Sequence, residues 1–398
     1  MLLGLGPDGP VSGRRVAVTG IGVVSSVGIG PDAFWDGLHG PAPEGERRVR
    51  DFDPEQWFTS KEARTLDRFA QFSVAVADMA LADAGDLDAD PGRSGVIMGT
   101  GVGGLQSLET QILVYAEKGA RRVSPRLVPM MMSNAGAAAV SMRLGWHGPS
   151  ETVITACAAG AHSIAHAARL VASGRCDVAI GGAAEAGMTN VGIAAFANMT
   201  ALSTTGRSMP FDVRRDGFVM TEGAGALVLE DWDRAVARGA RIYGELAGAA
   251  STADAHHITA PAPGGSGAAA CMQLAMDDAG VASTQVRHIN AHGTSTPLND
   301  QAESDAIGKV FGPGSPPVTS VKGATGHGLG ASGAIEAVAC VLTIDRRSIP
   351  PTLGYEQPDP EIHIDVVAGS ARPWEPGPIL SNSFGFGGHN GCLVISPA

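Results

Sequence analysis

Short runs of β-branched and other apolar residues alternate along the chain with longer stretches that are rich in alanine. Apolar runs of about four to eight residues favour strands, whereas stretches of about ten residues or more favour helices. The pattern predicts strands at Arg15–Thr19, Gly95–Met98, Thr152–Thr155, Asp177–Ile180, Ala224–Leu229, Ile242–Ala247, Val286–Asn290, Val318–Ser320, Ile379–Asn382 and Cys392–Ile395. It predicts helices at Ala63–Ala84, Ala161–Ser173, Ser266–Ala279, Asp300–Val310 and Ser332–Asp345. Strands and helices that alternate in this order are typical of a layered α/β fold.

The order of strand, small-residue turn and alanine-rich helix occurs twice. In the first occurrence, Thr152–Thr155 leads into Ala156–Gly160 and then into a helix. In the second, Val318–Ser320 leads into Lys322–Gly330 and another helix. Two similar halves would bring these two loops to a shared interface.

Composition and charge narrow the class of protein. The 398 residues carry a net charge of −12, which argues against a nucleic-acid-binding protein as a whole. No apolar run reaches the roughly 18 residues that a membrane span needs, and the N-terminus lacks the apolar segment of a signal peptide. The five cysteines are widely spaced and form no CxxC pair, so we expect reduced thiols rather than a disulfide framework or a zinc site. These features predict a soluble, cytoplasmic protein.

Cys157 carries the clearest chemical signal in the chain. It lies in the small-residue turn between a predicted strand and a predicted helix. A thiol at a helix N-terminus faces free backbone N–H groups and the positive end of the helix dipole, and both favour the thiolate. The sequence therefore predicts a nucleophilic sulfur near neutral pH.

Three other segments combine glycine with polar or reactive side chains next to predicted strands: Asn290–Pro297, Lys322–Gly330 and Asn382–Asn390. The first two contribute His292, Lys322 and His327. Together with a cysteine, these side chains supply a nucleophile, hydrogen-bond and proton donors, and a positive charge. The glycines of the third segment allow backbone N–H groups to approach a reacting oxygen closely.

Other reactive residues have a simpler structural interpretation. Cysteine is often buried, so we assign the remaining thiols to the core: Cys176, Cys271, Cys340 and Cys392. His162 and His166 lie four apart on one predicted helix, but no HExxH glutamate or third ligand accompanies them, so packing or capping is the better interpretation. Gly99–Gly104 fits GxGxxG, yet the rest of a dinucleotide-binding unit is not evident.

Four ordered motifs resemble the β-ketoacyl-[acyl carrier protein] synthase II family, the elongating condensing enzymes of the thiolase superfamily. They are Ala156–Gly160, Ala291–Pro297, Lys322 with Thr325–His327, and Asn382–Gly388. The resemblance extends from about Arg15 to Ile395. It implies a thiolase-like five-layered αβαβα fold of two similar halves, with the cysteine in residues 1–250 and both histidines in residues 251–398. It also implies a homodimer.

The resemblance implies a decarboxylative condensation that needs neither a redox cofactor nor a metal. Cys157 would accept an acyl group from an acyl carrier protein, with the backbone N–H groups of Cys157 and Phe386 as the oxyanion hole. His292 and His327 would promote decarboxylation of malonyl-carrier protein and stabilise the enolate, while Lys322 keeps the site positive. Attack of the carbanion on the acyl-cysteine would lengthen the chain by two carbons.

The resemblance also assigns residues to substrate binding. Thr294 and Thr296 match threonines that hydrogen-bond the pantetheine arm, and Thr259 lies near the tunnel. Phe386 matches a gating phenylalanine beside the nucleophile. The positions that match the acyl pocket are Val102, Leu127, Gly192 and Phe196, with Leu127 reaching across the dimer interface.

Three supporting features follow from the same resemblance. Glu336, one helix along from Lys322, is expected to hold its ammonium group. Asn290, Glu336 and Ser383 match a region where relatives sometimes hold a monovalent cation. Two basic clusters match regions where relatives bind the acidic carrier protein, namely Lys61, Arg64 and Arg68, and Arg121, Arg122 and Arg126. A solvated charged face is the alternative interpretation of these clusters.

Other functions remain open on the sequence. A type II polyketide ketosynthase would use the same chemistry beside a chain-length partner subunit. A non-catalytic chain-length partner would not need the cysteine and two histidines that this chain retains. A degradative thiolase would carry a second cysteine in the last glycine-rich segment, and Asn382–Asn390 has none.

Overall fold

A computed structural model describes residues 13–398 of the chain. The strands of this part are β1 (Val16–Ser25), β2 (Gly28–Ile29), β3 (Ser94–Gly99), β4 (Ser150–Glu151), β5 (Val178–Glu185), β6 (Gly223–Asp231), β7 (Gly244–Ala253), β8 (His288–Asn290), β9 (Val318–Thr319), β10 (Ser348–Ile349), β11 (Arg372–Pro373), β12 (Ile379–Gly385) and β13 (His389–Pro397).

The helices connect these strands and cover their faces. They are α1 (Pro31–Leu38), α2 (Ser60–Ala63), α3 (Arg68–Ala84), α4 (Leu105–Lys118), α5 (Leu127–Met131), α6 (Ala135–Leu144), α7 (Ala159–Ala172), α8 (Asn190–Asn198), α9 (Trp232–Ala237), α10 (Ser266–Asp278), α11 (Pro297–Phe311), α12 (Lys322–Thr325) and α13 (Ser332–Arg346). Short 3-10 helices lie at Pro54–Gln56, Pro91–Arg93, Ala120–Arg122, Ala156–Ala158, Pro263–Gly265, Ser283–Gln285 and Leu329–Ala331.

The main sheet consists of two five-stranded halves with the same pairing pattern. The first has the order β4-β3-β5-β6-β1, and the second has the order β9-β8-β12-β13-β7. In each half the first three strands are parallel and the last two are antiparallel to their neighbours. The halves join where β1 pairs with β7 at Ala17–Glu245 and Val18–Gly244. The sheet topology therefore carries the internal duplication that the sequence suggested.

Helices form three layers around the two half-sheets. α3 and α6 pack on the outer face of the first half, and α10 packs on the outer face of the second with α11 beside it. α7 and α13 lie between the half-sheets and contact each other, and their apolar side chains belong to one core cluster. Helix and sheet layers thus alternate as αβαβα. This confirms the predicted five-layered fold and places the starts of α7 and α13 at the centre of the molecule.

The contact between α7 and α13 requires small residues. An added Cβ on Gly160 would lie 2.5 Å from the backbone nitrogen of Ala334, and one on Gly333 would lie 2.8 Å from that of Ala161. Any larger side chain would push the two helices apart, because both contacts are with backbone atoms. The reciprocal close approach fixes the two small-residue turns next to each other.

Two predicted elements differ from the structure. Thr152–Thr155 is not a strand, since β4 ends at Glu151 and the chain then leaves the sheet toward the Ala156 turn. The predicted helix Ala63–Ala84 is interrupted, because Asp67 caps α3 by accepting from the Phe69 N–H and so begins a new helix. Local apolar composition predicted both segments, but it does not mark where the backbone must turn.

Candidate active site

Cys157 lies in the 3-10 helix at the start of α7, where the chain turns sharply. Ala156 has a φ of 48°, a conformation that non-glycine residues rarely adopt. Strain of this kind is found where surrounding structure enforces it, often at reactive groups. The side chain of Cys157 is 7% exposed, and the backbone N–H of Phe386 lies within hydrogen-bonding reach of the sulfur. The predicted position of the thiol in the fold is therefore confirmed.

Burial opposes the thiolate that the helix N-terminus was expected to favour at Cys157. Burial raises the pKa of the Cys157 thiol to about 11. Desolvation outweighs the opposite effects of the Lys322 charge and of the nearby backbone N–H groups. The sequence indicates the helix N-terminus but not the exclusion of water around it. The sulfur therefore rests as a protonated thiol, which must lose its proton as it reacts.

His292 follows β8 in a loop that a buried carboxylate holds in place. Glu303 on α11 accepts hydrogen bonds from the His292 N–H at 2.8 Å and the Gly293 N–H at 2.7 Å. Asn382 donates to the same carboxylate at 3.1 Å. Burial raises the pKa of Glu303 to about 7, against the effect of these donors. The loop thus takes its conformation from a helix that the sequence analysis did not associate with it.

Lys322 is buried beneath His292 and contacts it directly. Its Nζ lies 2.6 Å from the His292 carbonyl oxygen and 3.2 Å from His292 Nδ1. It also forms the ion pair with Glu336 that was expected. Since an ammonium group only donates hydrogen bonds, Nδ1 of His292 accepts and its ring hydrogen is on Nε2.

His327 completes the cluster opposite His292. The two imidazole rings lie edge to face, with centroids 5.4 Å apart and planes at 85°. Nδ1 of His327 lies 3.0 Å from the hydroxyl of Ser332. Burial, with Lys322 as a further cause, holds the pKa of both imidazoles well below its usual value. Both histidines are therefore neutral and can donate N–H hydrogen bonds to a developing negative charge.

Cys157, His292 and His327 line one cavity of about 300 Å³, whereas Lys322 lies behind its wall and is not among the lining residues. Among the expected site residues, those that line it are Cys157, Phe196, Thr259, His292, Thr294, Thr296, His327 and Phe386. Residues that sequence reasoning did not single out line it as well, including Met199, Leu298, Leu329 and Phe384. A cavity of this size, with polar groups converging on an apolar wall, is typical of a small-ligand site.

Some of the predicted substrate-binding residues line the cavity that contains Cys157, and others do not. Thr294 and Thr296 are hydrogen-bonded to each other at 2.9 Å at the wall of the cavity. Val102 and Gly192 do not line it. Within the described residues Leu127 lies apart as well, in a second cavity of about 430 Å³.

Three residues that contact the loops or side chains of the site were not identified from the sequence. Glu185 ends β5 fully buried and accepts hydrogen bonds from the Gly101 N–H at 2.6 Å and the Gly330 N–H at 3.1 Å. Arg47 donates to the backbone carbonyls of the short helix that begins at Lys322, including one at 2.7 Å. Phe218 packs edge to face against His327. A lone acid in an apolar run was a usable signal for Glu185, whereas the others depend on tertiary contacts.

The histidines and cysteines that we assigned to packing or capping contact different neighbours in the structure. His162 lies 2.8 Å from the Thr155 hydroxyl, while His166 pairs with Glu151 at 2.9 Å. The two histidines therefore do not share a ligand. Within residues 13–398, no three His, Cys, Asp or Glu side chains form a metal-binding group. The other cysteines are fully buried in core clusters or beside them: Cys176, Cys271, Cys340 and Cys392.

The region matched to a cation site contains oxygen atoms of suitable chemistry. Buried oxygen atoms that make no hydrogen bond among the described residues include Asn290 Oδ1, Glu336 Oε2 and Ser383 Oγ. Carboxylate, amide and hydroxyl oxygens are ligands that hard cations accept.

The two basic clusters differ in the structure. Arg121, Arg122 and Arg126 are exposed. Arg68 instead pairs with the buried Glu222 at 2.8 Å and lies over the ring of Phe72, so it is not a free surface charge.

In the described part of the chain, no helix combines the length and the hydropathy needed to cross a bilayer.

Comparison with known proteins assigns the family. The family model of the β-ketoacyl synthase N-terminal domain matches residues 39–235, and that of the C-terminal domain matches residues 243–356. The chain is 44% identical to 3-oxoacyl-[acyl-carrier-protein] synthase 2 of Synechocystis sp. (strain ATCC 27184 / PCC 6803 / Kazusa). That alignment covers 96% of this chain and 98% of the relative.

Solved structures agree with this assignment. The ishigamide ketosynthase/chain length factor matches with a TM-score of 0.92 and 34% identity, over 97% of this chain and 100% of that chain. A type II polyketide ketosynthase in complex with its acyl-carrier protein, AntDE:AntF, matches with a TM-score of 0.89 and 31% identity over the same shares. On the two family models and the near-complete alignment with a relative of this identity, the chain belongs to the β-ketoacyl synthase family.

Proposed function

We propose that the protein condenses an acyl group with malonyl-acyl carrier protein, releasing carbon dioxide and lengthening the chain by two carbons. The observation that carries the proposal is the shared cavity of Cys157, His292 and His327, in which both histidines are neutral. A nucleophile and two N–H donors in one water-poor site suit a reaction that forms first an acyl-enzyme and then an enolate.

The first step transfers the acyl group to the enzyme. The sulfur of Cys157 attacks the carbonyl carbon of the carrier thioester, and the backbone N–H groups of Cys157 and Phe386 stabilise the oxyanion. The bond to the pantetheine sulfur then breaks. The proton of the Cys157 thiol leaves with the released pantetheine thiol, so charge is balanced. A buried neutral thiol is suited to this step, because the enzyme does not have to keep a charged sulfur out of water before the substrate binds.

The second step forms the carbon–carbon bond. The malonyl thioester binds with its carbonyl oxygen near the two histidines, which donate hydrogen bonds as carbon dioxide leaves. The enolate carbon attacks the acyl carbon, the bond to Cys157 breaks, and the released thiolate takes up a proton from water. Because Lys322 donates to Nδ1 of His292, the ring hydrogen of His292 is on Nε2, and this Nε2–H faces the substrate.

The same proposal assigns the residues around the reacting groups. Thr294, Thr296 and Thr259 hydrogen-bond the pantetheine arm, and Phe386 gates access to the nucleophile. The acyl pocket is formed by Val102, Gly192, Phe196 and, from a second copy of the chain, Leu127. The separation of Leu127 from the Cys157 cavity within one chain supports its action from a partner subunit. The proposed halves, residues 1–250 and 251–398, correspond to the two half-sheets except at β7, a strand of the second half-sheet that begins at Gly244.

The proposed partners are an acyl carrier protein and a second copy of the chain in the cytoplasm. The exposed arginines Arg121, Arg122 and Arg126 provide positive charge for an acidic carrier. The surface of α4 and α5 exposes apolar side chains that a dimer would cover: Ile112, Leu113, Tyr115, Val128 and Met132. A reducing compartment is supported by the five cysteines, all buried and without disulfides in the described structure.

A polyketide pathway is the second candidate. Of the two similar solved structures named above, one is a type II polyketide ketosynthase and the other is a ketosynthase/chain length factor. In this case the exposed apolar surface would be covered by a different subunit. A chain-length role without catalysis is disfavoured by the retained Cys157, His292 and His327.

Variants that separate the two steps test the proposal. Cys157→Gln should lower condensation by roughly 10³-fold or more while keeping malonyl decarboxylation, because the histidines remain. His292→Ala and His327→Ala should lose decarboxylation but still accept an acyl group on Cys157. His166→Ala is the matched control, since that histidine pairs with Glu151 away from the cavity. Full elongation by His327→Ala would contradict the assigned role.

A further inference from the structure

The turn between α12 and α13 places a serine on the ring of His327. Ser332 is the first residue of α13 and lies five positions after His327. The intervening 3-10 helix begins at Leu329, where the backbone turns with a φ of 48°. As a result the Ser332 hydroxyl lies 3.0 Å from His327 Nδ1 and 3.0 Å from the backbone nitrogen of Gly328. Ser332 and His327 are each 3% exposed.

The two contacts of the Ser332 hydroxyl differ in what they require. The Gly328 N–H can only donate, so the Ser332 oxygen accepts from it. Among the described residues, His327 Nδ1 is the acceptor within reach of the hydroxyl hydrogen, so we assign Ser332 as the donor to Nδ1. A neutral imidazole has one ring hydrogen, so a ring that accepts at Nδ1 carries this hydrogen on Nε2.

We propose that Ser332 is a positioning residue that keeps His327 in the Nε2–H form and orients that group toward the cavity. This inference rests on the proposed condensation, in which the Nε2–H stabilises the enolate oxygen. Ser332 does not touch the substrate itself.

The two histidines reach the same protonation form by different means. His292 has the ammonium group of Lys322 at its Nδ1, at 3.2 Å. His327 has a neutral hydroxyl there instead, so no second positive charge enters the buried site. A second charge next to Lys322 would be costly in such surroundings. The serine therefore provides a donor without that cost.

Three variants separate positioning from a purely structural role. Ser332→Ala removes the donor, and Ser332→Thr keeps the hydroxyl. Ser163→Ala is the matched control because Ser163 is a buried serine of α7 whose hydroxyl makes no hydrogen bond among the described residues. The ring-nitrogen chemical shifts of ¹⁵N-labelled histidine report which nitrogen is protonated, with His327→Ala used to assign the signal.

The expected result has two parts. In Ser332→Ala, the His327 signals should shift from the pure Nε2–H form toward a mixture of tautomers. Malonyl decarboxylation by the full chain should fall on the order of 10- to 100-fold in kcat with little change in KM, a smaller loss than removal of the whole imidazole. Acylation of Cys157 should be unchanged. Ser332→Thr should restore both the shifts and the rate, and Ser163→Ala should resemble the wild type.

Two results would overturn the inference. Unchanged His327 shifts in Ser332→Ala would do so whether or not the rate falls, because Ser332 would then act only as a structural residue. Shifted signals with an unchanged decarboxylation rate would show that the tautomer does not matter for this step. If the wild-type protein itself failed to decarboxylate malonyl thioesters, the proposed function would be wrong, while the chemical shifts would still report separately on the Ser332 contact.

Discussion

The two small-residue turns at the centre of the molecule have a similar backbone but different chemistry. One extends from Ala156 to Gly160. The other extends from Leu329 to Gly333, where the Lys322–Gly330 segment leads into α13. Each begins with a non-glycine residue whose φ is 48°, passes through a 3-10 helix and enters a buried central helix. In this correspondence the position of Cys157 is taken by Gly330.

The loops that cover the two turns account for the difference. An added Cβ on Gly330 would lie 2.2 Å from the backbone nitrogen of Gly101, so a side chain does not fit there. The Gly330 N–H is already bonded to Glu185. Around Cys157, by contrast, the Phe386 N–H faces the sulfur and the cavity opens beside it. The two turns therefore share a backbone conformation. The loop that packs against each turn determines whether there is room for a nucleophilic side chain.

The largest expected effect concerns the charge of the nucleophile. Because burial raises the pKa of Cys157 to about 11, the thiolate fraction is small at neutral pH and grows as the pH rises toward that value. The rate of alkylation by iodoacetamide should rise about tenfold per pH unit between pH 7 and pH 10. Peptide mapping should find Cys157 labelled before Cys176 or Cys340, and Cys157→Ala gives the background. A rate that levels off near pH 7 would instead indicate the thiolate predicted from the sequence.

The next effect concerns the turn at Gly330, against which the backbone of Gly101 packs. Gly330→Ala should lower the free energy of unfolding by about 3 kcal/mol, because the new methyl group would overlap the backbone of Gly101. Gly308→Ala is the control, since an added Cβ on this exposed glycine of α11 meets no atom within 4 Å. This control should be neutral or stabilising by about 0.5–1 kcal/mol. Thermal or urea unfolding measures both variants, and equal stability of Gly330→Ala and the wild type would remove the steric explanation.

A smaller loss is expected when the acceptor beneath that turn is changed. Glu185→Gln replaces one acceptor oxygen by an amide group, whereas in the structure the carboxylate accepts from the Thr100 hydroxyl and from the Gly101 and Gly330 N–H groups. One donor should lose its partner, at a cost of about 1–3 kcal/mol in unfolding free energy. Glu375→Gln, at a side chain that is 88% exposed, should be close to neutral. If both substitutions had the same small effect, Glu185 would not be holding the turn.

The smallest effect should come from charges outside both turns. Arg122→Glu combined with Arg126→Glu should raise the apparent KM for the acyl carrier protein severalfold, and more so at low salt, because such charges mainly increase the association rate. The KM for a small pantetheine thioester should barely change, since both turns remain intact. Equal losses with the two substrates would indicate damage to the fold or the cavity rather than to docking.

Sequence reasoning predicted the fold class and the three reactive residues that meet in the cavity, Cys157, His292 and His327, but not the whole of its lining. The motifs around Cys157, His292 and His327 combine reactive side chains with small turn residues, and this local information is enough to mark them. It also predicted the ion pair of Lys322 with Glu336 from the resemblance to relatives.

Other features of the site depend on contacts between distant segments. The resting charge of Cys157 is set by the exclusion of water, which strand and helix patterns do not report. Arg47 contacts the Lys322 turn across 275 sequence positions, and Glu185 joins loops from both halves. Ser332 resembles any serine at a helix start until the turn at Leu329 brings it onto His327.

The central claim, that only the first of the two turns carries the nucleophile of an acyl transfer, is tested most directly by mass spectrometry. The protein is incubated with an acyl-carrier protein thioester, without malonyl substrate, and the peptides are mapped for the added acyl mass. We expect the acyl group on the peptide that contains Cys157 and its absence in Cys157→Gln. Acyl groups on Cys176 or Cys340, or no covalent acyl-enzyme at all, would contradict the account.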